Sequence, residues 1–175
     1  MMHPARGLIP FLFLTLASLP ALAQLDGLVT QPSKHDVRGT LDRFATAVRE
    51  AGWVVFTEVD HAAAAGAVGM NLPDRTVLLF GNPRAGTGAI QVHPTLAIDL
   101  PMRVLVWQND TGQVFITRST GADIATRVFA RHGVTIPLEG QDATDHFIAE
   151  LVRKATDYTK FGLTVQAKLG LALCL

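Results

Sequence analysis

The chain has 175 residues, of which 49% are hydrophobic, enough for one ordinary globular domain with a single core. Its 15 basic and 15 acidic side chains cancel, leaving no basic excess to neutralise phosphates, which argues against nucleic acid as a partner. The lone cysteine, Cys174, cannot close an intrachain disulfide, so the fold has to rest on its core.

The first 23 residues read as a secretory signal. Arg6 supplies the charge, Leu8 to Leu19 is an apolar run broken by Pro10, and Ala21-Leu22-Ala23 has the small-x-small pattern of a cleavage site. The run is shorter than the ~20 residues that span a bilayer, and Pro20 stands where a helix would have to continue. The expectation is a periplasmic or secreted protein beginning at Gln24, with no stable membrane span after cleavage, and with one domain over residues 24–157.

Leu25 to Gln31, between Gly27 and Pro32-Ser33, predicts a short first strand. From Asp36 to Ala51, Val37, Leu41, Phe44, Ala45, Val48 and Ala51 recur at three and four, the pattern of one helix face, and Gly52 suits its C-terminal cap. Trp53 to Val59 is β-branched and aromatic, hence a strand, and Asp60 stands before an Ala-rich helix from His61 to about Met70. Thr76 to Phe80 is the next strand, Ala85 to His93 a short helix, and Met102 to Trp107 a further strand. Asn109-Asp110-Thr111-Gly112 reads as a hairpin turn into Val114 to Thr117. Helical spacing returns at Ile124, Val128 and Phe129, stops near Gly133, and resumes from Asp142 to Asp157. Strands run together with helices gathered to one side predict an α+β fold, an antiparallel sheet covered on one face. Residues 158–175 form an apolar tail in which Phe161, Leu163, Val165, Ala167, Leu169, Leu171, Leu173 and Leu175 take every second position, a strand-like period that should dock on the domain or a partner.

Three stretches carry a family signal: Asp60-His61-Ala62-Ala63-Ala64, the run Leu79-Phe80-Gly81-Asn82-Pro83-Arg84-Ala85-Gly86-Thr87-Gly88, and Ile98-Asp99-Leu100-Pro101. Together they resemble the family known as domain of unknown function 302, best over Thr40 to Ala130. The resemblance implies a fold similar to the TATA-binding-protein type and a tendency to pair as a homodimer, and it implies no reaction. Gly88-Ala89 stand where members of that family often carry Pro and a bulky apolar residue.

The same stretches hold the candidate site residues. Asp60 suits a helix cap first, with a catalytic carboxylate beside His61, whose ordinary pKa lies near working pH, as the alternative. The Gly-rich turn between strand and helix is the setting in which backbone N–H groups hold an anion, so Arg84, Gly86 and Thr87 are the candidate contacts for a small anionic ligand. Against that, Asn82 suits a helix cap and Pro83 the first helical turn. The turn lacks the Gly-Lys-Ser/Thr of a Walker motif. Asp99 reads as a turn carboxylate or as an acid facing a shared cleft, and an enzyme built on Asp60, His61 and Asp99 requires them to converge with Arg84. A copper site from His61, Met70, His93 and Met102 can be drawn, but methionines in apolar runs are usually core. His61, His93, His132 and His146 lack zinc-site spacing, so no metal and no cofactor is expected. Neither Ser33 nor Ser119 lies in a nucleophile elbow, and Cys174 lacks electropositive surroundings. The reading that results is an exported binding protein for a small anionic ligand or a protein partner, with a periplasmic enzyme or a copper protein as the alternatives.

Overall fold

The computed structural model describes residues 26–157; the signal segment and the alternating tail lie outside them. Five strands form one fully antiparallel sheet in the order β1-β5-β4-β3-β2: β1 Leu28–Pro32, β2 Val54–Asp60, β3 Arg75–Gly81, β4 Met102–Gln108 and β5 Val114–Ser119. Helix α1, Val37–Glu50, carries the chain from one sheet edge to the other, and α5, Leu138–Thr156, packs beside it. The α+β architecture expected from the sequence is the one observed. Short helices α2, His61–Ala67, and α3, Pro83–Val92, lie between strands, and a 3-10 turn over Pro94–Ile98 precedes β4.

Alternation along the strands sorts the two sheet faces. Leu78, Phe80, Val104, Val106, Val114 and Ile116 point to the helices and meet Leu41, Phe44, Val48, Ile148, Leu151 and Val152 in one buried core. Phe44 meets Phe80 edge to face, with ring centroids 5.1 Å apart. The opposite face carries Val77, Leu79, Leu105 and a Trp107–Phe115 cross-strand pair stacked at 4.8 Å, a contact that tightens the β4–β5 pairing.

Local chemistry accounts for the element boundaries. Asp36 caps α1 by accepting from the Gly39 N–H at 2.7 Å, and Gly52, at φ 75°, ends it with its N–H on the Arg49 carbonyl. Asn109 builds the hairpin turn by accepting from the N–H groups of Thr111 and Gln113, and Gly112 takes the positive φ that closes it.

The segment after β5 departs from the expected plain helix. Gly121–Asp123 starts as α4, Ile124–Phe129 widens into a π-helix, and Ala130–His132 tightens into a 3-10 turn ended by Gly133. Its start is fixed to α5 by a part-buried ion pair. Arg118 on β5 donates to Asp145 at 2.7 and 3.2 Å, and Asp145 also accepts from the Gly121 N–H at 3.1 Å. Those contacts hold the Asp145 carboxyl below its ordinary range, chiefly through the Arg118 hydrogen bond.

Candidate functional site

Strand register decides which candidate residues can meet. Asp60 pairs with Thr76 at one end of β3, whereas Met102, just after Asp99 in the chain, pairs with Phe80 at the other end. Four residues of strand separate the two positions by roughly 13 Å. Arg84 follows β3 at the Phe80 end, so Asp60 and His61 do not converge with Asp99 and Arg84, and the shared acid/base cleft drawn from the sequence does not form. The same separation places His61 and Met102 apart, and Met70 is 68% exposed, so the four-residue copper set is not assembled. Among the described residues, no three His, Cys, Asp or Glu side chains gather as a metal set.

Asp60 does what a cap does: its carboxylate accepts from the Ala63 N–H at 2.9 Å at the start of α2. Asn82 caps α3, its side-chain oxygen accepting from the N–H groups of Arg84 at 3.0 Å and Ala85 at 3.3 Å, with Pro83 in the first turn. Those two donors are therefore already taken, and an anion at this turn would have to rely on the Arg84 side chain. Arg84 is exposed and makes no ion pair among the described residues.

Beside that turn the fold forms a half-open apolar cavity of about 480 Å³. One wall is α3, through Gly86, Ala89 and Ile90, and the cis Leu100–Pro101 segment with Met102 adds a second. Trp53 and Phe56, at the start of β2, form a third. The fourth is the π-helix, through Ile124, Ala125 and Phe129. Trp53 is held by Phe147 of α5, with ring centroids 4.4 Å apart. Three polar side chains reach the lining. Asn82 is occupied with its cap, Thr144 donates to the Gly140 carbonyl at 2.8 Å, and the Thr87 hydroxyl has no hydrogen bond among the described residues. Arg84 lies between two lining residues, Pro83 and Ala85.

Asp99 belongs to a different cluster. Its side chain, 10% exposed, accepts from His132 Nε2 at 2.6 Å and from Arg131 Nε at 2.5 Å. These hydrogen bonds, Arg131 first and His132 second, lower its pKa from 3.8 to about 2. The sequence reading considered His132 only as a zinc ligand, and its pairing with Asp99 spans 33 residues with no local pattern to reveal it. The cavity walls were equally hidden, because they come from separate elements brought together by the sheet.

Comparison with known proteins places this chain. Residues 29–151 match the model of the domain of unknown function DUF302. Proteins named fluoride-specific ion channel FluC 1 of Brucella suis biovar 1 and FluC 2 of Brucella melitensis biotype 1 are each 40% identical over 110 residues. Those matches cover 62% of this chain and 43% and 41% of the relatives, so the chain spans about two fifths of their length. No helix among the described residues is long and apolar enough to cross a membrane. The crystal structure of an uncharacterized conserved DUF302 protein from Bacillus stearothermophilus superposes with a TM-score of 0.61, covering 74% of this chain and 98% of that one at 13% identity, a likeness of fold. With the family model matching most of the chain and the same α+β fold present, this protein belongs to the DUF302 family of domains of unknown function.

Proposed function

We propose that this is an exported domain that binds a small amphipathic molecule, with its apolar body in the cavity and an anionic group at the Arg84 guanidinium beside it. The cavity carries the reading. Its volume of about 480 Å³ falls within the ~300–1,000 Å³ of small-molecule sites, and apolar side chains make up most of its lining. Burial there favours an alkyl or aromatic body by roughly 25 cal/mol per Å² removed from water. Thr87 offers a hydroxyl free to donate or accept, and a planar guanidinium grips a carboxylate through two parallel N–H groups. A π-helix in the wall supports the same reading, since such segments are frequent at functional sites.

The signal-like pattern of residues 1–23 supports export. Pairing as a homodimer is supported by β2, an edge strand with a neighbour on one side alone, where Val54, Phe56 and Val59 are 41%, 52% and 43% exposed.

Thermal unfolding of the exported protein with decanoate, decanol and acetate tests the binding reading. Decanoate raises Tm most, decanol raises it less, and acetate leaves it unchanged. Arg84→Ala brings the decanoate shift down to the decanol level, and Ala89→Trp, which fills the cavity from α3, abolishes both shifts. Absence of any shift with both ten-carbon probes, or an undiminished shift in Ala89→Trp, overturns it.

A further inference from the structure

We propose that Thr95 is an acyl acceptor, its hydroxyl joined to His132 and Asp99 in a hydrogen-bonded relay that carries acyl transfer from a small activated ester. Two 3-10 turns build the relay, Pro94–Ile98 presenting Thr95 and Ala130–His132 presenting the imidazole. His132 Nε2 lies 2.6 Å from Asp99 Oδ2, and His132 Nδ1 lies 2.9 Å from Thr95 Oγ1. An ionised carboxylate can only accept, so Nε2 carries the proton and Nδ1 turns its lone pair toward the threonine hydroxyl. Arg131 Nε is 3.4 Å from the same Nε2, too distant to displace the carboxylate, and its guanidinium is engaged by Asp99.

Exposure follows the roles that acyl transfer requires. The His132 and Asp99 side chains are 7% and 10% exposed, whereas Thr95 faces solvent. The base and the group that orients it are sheltered, and the nucleophile is open to substrate. Ile98, in the same turn as Thr95, is 80% exposed, leaving apolar surface on the turn that presents the hydroxyl. A purely structural staple between the two turns is complete with Asp99, Arg131 and His132, and has no use for an exposed hydroxyl on the remaining imidazole nitrogen.

In the acylation step His132 Nδ1 takes the Thr95 proton as Oγ1 bonds to the ester carbonyl carbon. The bond from that carbon to the leaving oxygen breaks, and the leaving alcohol carries away the proton held by His132. Water, deprotonated by the same nitrogen, then attacks the threonine ester, releasing the carboxylic acid and restoring the hydroxyl. The relay makes no use of the cavity, so failure of either proposal leaves the other standing.

The test is p-nitrophenyl acetate added to the full-length exported protein, with release of p-nitrophenolate followed in time and the acetylated residue located by peptide mass spectrometry. The expected result is a burst approaching one equivalent per chain with the acetyl group on Thr95. Thr95→Ser keeps the burst, while Thr95→Val and His132→Gln slow it by about 100-fold or more. Thr95→Val leaves the Asp99–Arg131–His132 contacts in place, and an unchanged Tm for it separates lost chemistry from lost folding. Acetylation elsewhere but not at Thr95, or an equal burst in Thr95→Val, overturns the proposal.

Discussion

Replacing Gly121 by alanine places a methyl group where α4 and α5 come closest. Its Cβ would lie 1.9 Å from the Gln141 carbonyl oxygen, 2.9 Å from the Gln141 carbonyl carbon and 3.0 Å from the Asp145 nitrogen, all of them backbone atoms that cannot rotate away. The two helices must part by more than an ångström. Overpacking of this kind costs about 1–3 kcal/mol even where side chains can yield. The displacement also pulls Asp145 from the Gly121 N–H and strains its pair with Arg118; the Arg118 side chain is 7% exposed but that of Asp145 is 39% exposed, so solvent screens the pair and its loss adds about 1 kcal/mol. A loss of about 2–4 kcal/mol is therefore expected, which lowers Tm by roughly 10 °C in a domain of this size. Gly88→Ala is the control, because a methyl on that helical residue meets nothing within 4 Å, and it should be neutral or stabilising by up to ~1 kcal/mol. Calorimetry or thermal circular dichroism on both variants gives the answer. Equal Tm values for Gly121→Ala and wild type would refute the close-approach argument and with it the account of how the π-helical wall is anchored.

Asp60→Asn should leave stability within a few tenths of a kcal/mol of wild type and Asp60→Ala should cost about 1 kcal/mol, as for any helix cap, measured by urea titration. A larger loss in the asparagine variant would point to a role beyond capping. The Asp99 pKa, lowered from 3.8 to about 2, means its contribution to stability is fully present above about pH 4 and is lost as the pH falls through 2. Asp99→Asn should flatten the fall of Tm between pH 4 and 2 while lowering Tm at neutral pH; an unchanged acid profile would remove the Asp99–Arg131–His132 cluster from the stability account.

Features set by neighbours in the chain are legible in the sequence alone. The face of α1 follows from apolar residues at three and four, its end from Gly52, the hairpin from Asn109 and Gly112, and the α3 start from Asn82 and Pro83. Each depends on φ/ψ preference or on a side chain reaching backbone two or three residues away, so the information is local. The family was legible too, because the resemblance rests on short runs of residue types, Asp60-His61, the Gly-rich turn and Asp99-Leu100-Pro101, that are read from the chain itself.

What the tertiary structure decided is which of those residues meet. From sequence, Asp60, His61, Asp99 and Arg84 all stand at element ends, and nothing in their order tells one end of a sheet from the other. The antiparallel register of β2, β3 and β4 made that choice, sending Asp60 and His61 to one end and the Asp99 cluster with Arg84 to the other. The same long-range pairing placed His132 against Asp99 and gathered α3, the start of β2 and the π-helix around one cavity. Sequence patterns record what each segment prefers on its own, while register and helix packing are set by the apolar area buried when all segments close on one core, a quantity no single segment carries.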